Sequence, residues 1–97
     1  MNNIEVEMSS GEIIPAELIS SFELVNTGKK YIFYTKNEVV ENGLIKMYVA
    51  EIMNTNSPIN IGEQMTEEEW TNLKNVMKSI LTGNENPNVQ YIEIGGL

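Results

Sequence analysis

The sequence predicts an α+β domain: an antiparallel β-meander of four to five strands with one amphipathic helix, in the C-terminal half, packed on one face. Three observations carry this prediction. Short runs of apolar, β-branched and aromatic residues between residues 3 and 62 are separated by turns bearing glycine or asparagine. Residues 65–70, Met-Thr-Glu-Glu-Glu-Trp, spell a complete helix start. A helical period follows that start and occurs nowhere else.

Ile4, Val6 and Met8 alternate with polar neighbours, which is the period of a strand with one dry face. Ser9-Ser10-Gly11-Glu12 is a turn in which Gly11 supplies the positive φ of a tight hairpin. In the next segment Ile14, Ala16, Leu18, Phe22 and Leu24 keep to one face and Glu17, Ser21 and Glu23 to the other. That is a strand bent or bulged near Ser20-Ser21. Pro15 belongs at an edge or a bulge of such a strand, or else opens a short helix through Ser20; the alternation favours the strand.

Asn26-Thr27-Gly28-Lys29 forms a second turn, and Lys29-Lys30 reads as a solvated hairpin tip. Residues 30–35, Lys-Tyr-Ile-Phe-Tyr-Thr, are the strongest strand in the chain, apolar on both faces and therefore central in the sheet. Asn37 to Gly43 is a polar connection ending in an Asn-Gly turn. Residues 44–53 follow as the fourth strand, Ile45, Met47 and Val49 on one face and Leu44, Tyr48, Ala50 and Ile52 on the other. After a loop at residues 54–58, Ile59 and Ile61 mark a short extended piece.

The helix runs from Glu67 to Thr82. Thr66 at N-cap and Glu69 at N3 make a capping box, and Met65 and Trp70 occupy the two positions of a hydrophobic staple. Trp70, Leu73, Met77, Ile80 and Leu81, with Val76 beside them, form the apolar stripe, expected to bury Trp70 against strand residues such as Ile4, Val6, Phe22 and Phe33. Gly83 ends the helix and Pro87 blocks its continuation. The chain is read as a single domain with its core in residues 3–82. Val89 to Ile94 has strand composition, and Gly95-Gly96-Leu97 reads as a frayed end.

The composition narrows function by exclusion. The sequence has no His, Cys, Asp or Arg; its 14 acids are all Glu and its six bases all Lys. There is no imidazole to serve as a base, no thiolate nucleophile, no typical zinc set and no guanidinium fork for phosphate. Paired carboxylates remain the one conceivable catalytic group, but Glu67, Glu68 and Glu69 fan around a helix start rather than sharing a face. No Asp-rich loop has calcium-ligand spacing, and Gly28 and Gly43 lie outside any phosphate-loop pattern. A catalytic role, a cofactor and a metal are therefore not expected.

The net charge of −8 repels nucleic acid phosphates and anionic lipid. The first residues, Met-Asn-Asn-Ile-Glu-Val-Glu, lack a basic region followed by an apolar core, and no apolar run nears the roughly 18 residues of a membrane span. A cytoplasmic protein that binds neither nucleic acid nor membrane is expected.

Gly11-Glu12 at the first turn, Phe22-Glu23 late in the second strand, Lys30-Tyr31 with Tyr34 in the third, and Thr66-Glu67-Glu68-Glu69-Trp70 opening the helix occur in an order that resembles a family of short acidic proteins of low-GC Gram-positive bacteria, the YrzB-like domain of unknown function. The resemblance covers residues 3–81. It departs in two places: the acidic run after the third strand is reduced to Glu38 and Glu41, and residues 84–97 extend further than such proteins commonly do. It implies a β-meander with a helix on one face, and no activity.

The function expected is a non-catalytic protein-interaction module. It offers an acidic surface and an exposed sheet face or edge to a protein partner or to a second copy of itself. Tyr31, Tyr34 and Tyr48, with Glu38 and Glu41, are the candidate contacts, since aromatic residues carry much of the energy at interfaces. Two other readings stay open. One is an inhibitor that mimics nucleic acid, which needs its Glu residues spaced along one ridge; the other is a small-molecule-binding protein, which needs a concave pocket with convergent polar groups.

Overall fold

In the computed structural model, which describes residues 2–62 and 65–95, the order of elements is β1 (Asn2–Glu7), β2 (Ile13–Leu24), β3 (Lys30–Val39), a 3₁₀ turn (Glu41–Gly43), β4 (Ile45–Ile52), β5 (Ile59–Gly62), α1 (Glu67–Thr82) and β6 (Val89–Tyr91). The class is α+β, as the sequence predicts. Among the described residues the strands are six: the extended piece at Ile59 and Ile61 is β5, and part of the Val89–Ile94 segment is β6.

The meander closes on itself. Successive strands from β1 to β4 pair antiparallel, β5 joins β4 antiparallel, and β5 also joins β1 through Val6↔Ile59 and Glu7↔Asn60. In an up-and-down ring of five strands the first and last run the same way, so this closing pair is necessarily parallel, as observed. The interior of the resulting barrel is filled by Ile4 and Val6, Ala16, Ile32 and Tyr34, Ala50 and Ile52, and Ile59 and Ile61. Each pair is two residues apart on its strand, which is how a strand fills one face.

β2 carries the bend the sequence calls for, and its consequence corrects the assignment of faces. Leu18 pairs with Tyr34 and Ser20 with Phe33, so Ile19 is an extra residue on β2. One inserted residue inverts the alternation beyond it. Ile14, Ala16 and Leu18 therefore join the barrel interior, whereas Phe22 and Leu24, expected on that same face, point to the opposite one. There they meet Tyr31, Leu73 and Val76 in a second core beneath the helix. Pro15 sits where β3 has not yet begun to pair with β2, so its missing N–H costs that ladder nothing.

The helix begins and ends as read. The Thr66 hydroxyl accepts the Glu69 backbone N–H at 3.1 Å. At the far end Gly83 takes φ 72°, its N–H reaching the Ile80 carbonyl while Asn84 N–H reaches Ser79, the paired bonds of a Schellman motif. The buried stripe differs from the expected one. Leu73 and Val76 are buried, with Glu69 and Ile80 half-buried in line with them, whereas Trp70 is 41% exposed and Leu81, also expected on the stripe, is exposed as well. The cause is Glu69, whose carboxylate accepts from the Tyr31 hydroxyl at 3.3 Å and from Lys29 Nζ at 3.4 Å. Turning Glu69 toward the sheet rotates the adjacent Trp70 about 100° away from it. Ile4 and Val6, expected under the helix, lie inside the barrel instead.

The segment after β6 is not frayed through Gly95. Ile92 N–H donates to the Ser21 carbonyl, the Ser21 hydroxyl donates to the Ile92 carbonyl, and Gly95 exchanges backbone bonds with Thr55 and Ser57. These bonds carry Ile94, 7% exposed, into the barrel core. Gly96 and Leu97, the rest of the expected frayed end, lie outside the described residues.

Candidate functional site

β3 and β4 run on past the barrel as a two-stranded arm. β3 extends to Val39, beyond the polar connection expected from Asn37, and Val39 pairs with Ile45. The turn closing the arm carries two consecutive residues in the left-handed region, Asn42 at φ 64° and Gly43 at φ 72°, and Val40 N–H donates to the Leu44 carbonyl across it at 2.7 Å. Asn-Gly is one of the dipeptides that adopt that conformation most readily.

Every residue from Asn37 to Met47 is exposed. Among them are Val39 at 70%, Leu44 at 64%, Ile45 at 48%, Val40 and Met47. Val39, Ile45 and Met47 share one face of the arm through their register, and Val40 and Leu44 flank the turn. This is apolar surface on the order of 400 Å², a size at which patches on monomers are commonly functional.

The arm is rooted by an ordered polar cluster. Tyr48 stacks on Tyr34 with ring centroids 5.4 Å apart, and its hydroxyl donates to Glu38 Oε1 at 2.6 Å. Lys36 Nζ lies 3.5 Å from the same oxygen and 4.7 Å from the Tyr48 ring centre, with Lys46 Nζ 5.1 Å from that ring. The bond from the Tyr48 hydroxyl holds the Glu38 carboxyl below its ordinary range, and the charges of Lys36 and Lys46 act the same way.

The structure thus separates the five candidate contacts. Tyr31 and Tyr34 are 1% and 5% exposed, one beneath the helix and one in the barrel, and offer no surface to a partner. Tyr48 and Glu38 come together at the root of the arm, and Glu41 stands at its turn. The exposed aliphatic residues beside them escape a search keyed to aromatic and charged side chains. Their signal in the sequence is the run Val39-Val40 and Leu44-Ile45 flanking an Asn-Gly turn, apolar residues where a hairpin tip is ordinarily polar.

β4 is laddered to β3 from Ile45 to Glu51 on one side and, among the described residues, pairs with β5 at Glu51 and Ile52 on the other. A cleft of about 290 Å³ lies beside Val49 and Ala50, walled by Ile61, Met65 and Trp70. Met65 and Trp70, the staple pair, line this cleft together.

Elsewhere, a broader cavity of about 590 Å³ lies between the end of α1 and β6, and Glu85 is the charged group on its wall. Lys29, read as a solvated tip, is tied to the helix through Glu69. Burial works to raise the Glu69 carboxyl, but the Lys29 charge and bonds from Thr66 outweigh it and hold the carboxyl low. Tyr31 is pushed up to about 12 by burial and then by the charges of Glu69 and Glu51. Among the described residues no three acids converge as a metal site, and no helix is long and apolar enough to cross a membrane.

Set against models of known protein families, curated proteins and solved structures, the chain matches none.

Proposed function

We propose that this chain is a non-catalytic protein-interaction module that works in the cytoplasm and binds its partner through the β3–β4 arm. One observation carries the reading: five aliphatic or thioether side chains, Val39, Val40, Leu44, Ile45 and Met47, stand exposed together on a hairpin whose root is held by stacked tyrosines and an ion-paired carboxylate. A rigid base under an apolar tip is what a docking surface needs, because little ordering is left to be done on binding. The residues also supply none of the usual acid, base or nucleophile sets, and the charge of −8 disfavours nucleic acid and anionic membranes as partners.

The nucleic-acid-mimic reading has less support. Glutamates lie on β1, at the first turn, on the arm, at the helix start and in the segments flanking β6, rather than along one element. Kinship with the YrzB-like proteins rests on the motif order above and brings no activity with it.

The test is a photo-crosslinking residue placed at Met47 in the full chain and exposed to native lysate. A small set of adducts, or a self-adduct, competed by unlabelled protein and lost on Leu44→Lys, is expected. Adducts no different from those formed by the same probe at exposed Asn75 on the helix overturn the reading.

A further inference from the structure

We infer that the cavity between the end of α1 and β6 is a binding site for a small organic cation, an ammonium group carried on an apolar body. The site is separate from the arm and goes beyond the interaction-module reading. It begins from register. Phe22 pairs with Tyr91 and Leu24 with Val89, so Val89 and Tyr91 project from the same face of the sheet as Phe22 and Leu24, the face that α1 covers. Leu73 and Val76 bury Phe22 and Leu24, but β6 is covered only in part: Val89 is half-buried and Tyr91 is 62% exposed. The space left there is the cavity of about 590 Å³, a volume within the range of small-molecule sites.

β6 lines one side of the cavity, Ser79 and Ile80 of α1 another, and the loop from Gly83 to Pro87 a third. The loop is well tied. Asn86 accepts the Asn88 N–H on its side chain and the Val89 N–H on its carbonyl, both at 3.0 Å, and the Asn84 amide donates to Thr82 Oγ1 at 3.0 Å. Asn88 in turn accepts the backbone N–H groups of Val25 and Asn26, just past β2. Walls held in this way leave little to be ordered when a ligand enters.

Charge then selects the ligand. Glu85 lines the cavity and none of the six lysines does. The ion pairs among the described residues engage Glu23, Glu38 and Glu69, and Glu85 has none. The negative end of the α1 dipole also terminates at this cavity, with no base in the last turn of the helix. Both features favour a cation there and oppose an anion. Tyr91 adds an aromatic face. Tyr48 and Trp70 already carry lysines over their rings, and Tyr31 and Tyr34 are buried in stacked pairs. The Tyr91 ring, on the cavity wall, meets neither a lysine nor another ring among the described residues. A carboxylate and an open aromatic ring on one cavity suit an alkylammonium, and Ile80, Pro87 and Val89 receive its apolar body. A hard metal ion would want several converging oxygens in place of those apolar walls.

Amide NMR titration of the full chain with phenylpropylamine, an ammonium at neutral pH, tests the inference, beside phenylpropanol and phenylpropionate, which carry the same body. The amine should saturate in the millimolar range with shifts centred on Ser79 to Tyr91. The alcohol should bind on the order of fivefold more weakly, and the carboxylate more weakly still. A chain of net charge −8 attracts any cation, so two variants of equal charge are compared. Glu85→Gln should weaken the amine on the order of fivefold, whereas Glu12→Gln, at the exposed first turn, should change its affinity by less than about twofold. Tyr91→Leu keeps an apolar side chain and should remove much of the amine's advantage over the alcohol. Glu85 and Tyr91 are both exposed, so the fold does not depend on either. Failure of the amine to saturate, equal affinity for amine and alcohol, equal losses from the two glutamine variants, or shifts centred elsewhere each overturn the inference. The Met47 crosslink reports on the arm alone, so the two readings fail separately.

Discussion

Replacing Tyr31 by Phe should change stability in a direction that depends on pH. Tyr31 is 1% exposed, and its hydroxyl donates to the Glu69 carboxylate at 3.3 Å, joining β3 to the first turn of α1. At pH 8 the variant loses that bond, worth about 1 kcal/mol net. In the folded protein the phenol's pKa is about 12 against an ordinary 10.0, because burial and then the charges of Glu69 and Glu51 oppose a phenolate. A raised pKa means that between pH 10 and 12 the unfolded chain releases a proton that the folded chain keeps. The stabilisation is complete below pH 10 and is lost as pH climbs through 12, at up to about 1.4 kcal/mol per unit and about 2.7 kcal/mol in all. The wild-type advantage should therefore vanish near pH 11 and reverse above it. Denaturant unfolding of both proteins at pH 8, 10, 11 and 11.5 measures this, and taking the difference cancels titration of the lysines and the other tyrosines. Two parallel stability curves over that range would refute the placement of Tyr31 beneath Glu69.

Three further outcomes follow from the packing. Leu73→Ala empties a fully buried position on the helix stripe and should lower stability by about 2 to 5 kcal/mol in chemical denaturation. Gly83→Ala meets no neighbour within 4 Å but holds a left-handed φ of 72°, so thermal unfolding should register about 1 kcal/mol of loss from conformation alone. Ser21→Ala removes the hydroxyl that donates to the Ile92 carbonyl; amide exchange should quicken at Ile92 to Gly95 more than in the barrel strands, and uniform change across the chain would show that the tail is not fastened there.

Much of the fold was legible because its signals are local. Thr66, Glu69 and Gly83 fix the helix ends through bonds within a few residues of each, and the turns at Gly11, Gly28 and Gly43 declare themselves by a φ that other residues avoid. The faces of β2 beyond Leu18 were not legible, because one inserted residue inverts every later side chain and no residue type marks the insertion. The outward turn of Trp70 was hidden for a related reason. Two stripes 100° apart fit the same residues, and the choice between them rests on Glu69 meeting Lys29 and Tyr31, some 40 positions away in the chain.

The candidate site shows where a compositional search goes astray. Aromatic residues are the ones to seek at an interface, yet in a domain of this size the core also draws on the aromatic residues of its central strand, and Tyr31 and Tyr34 are taken by it. What remains for the surface is what the core does not take, the aliphatic residues of the arm. β2 pairs with β3 as far as Thr35, and the arm runs on beyond that point, so Val39, Ile45 and Met47 extend past the packed layers of the barrel and stand exposed.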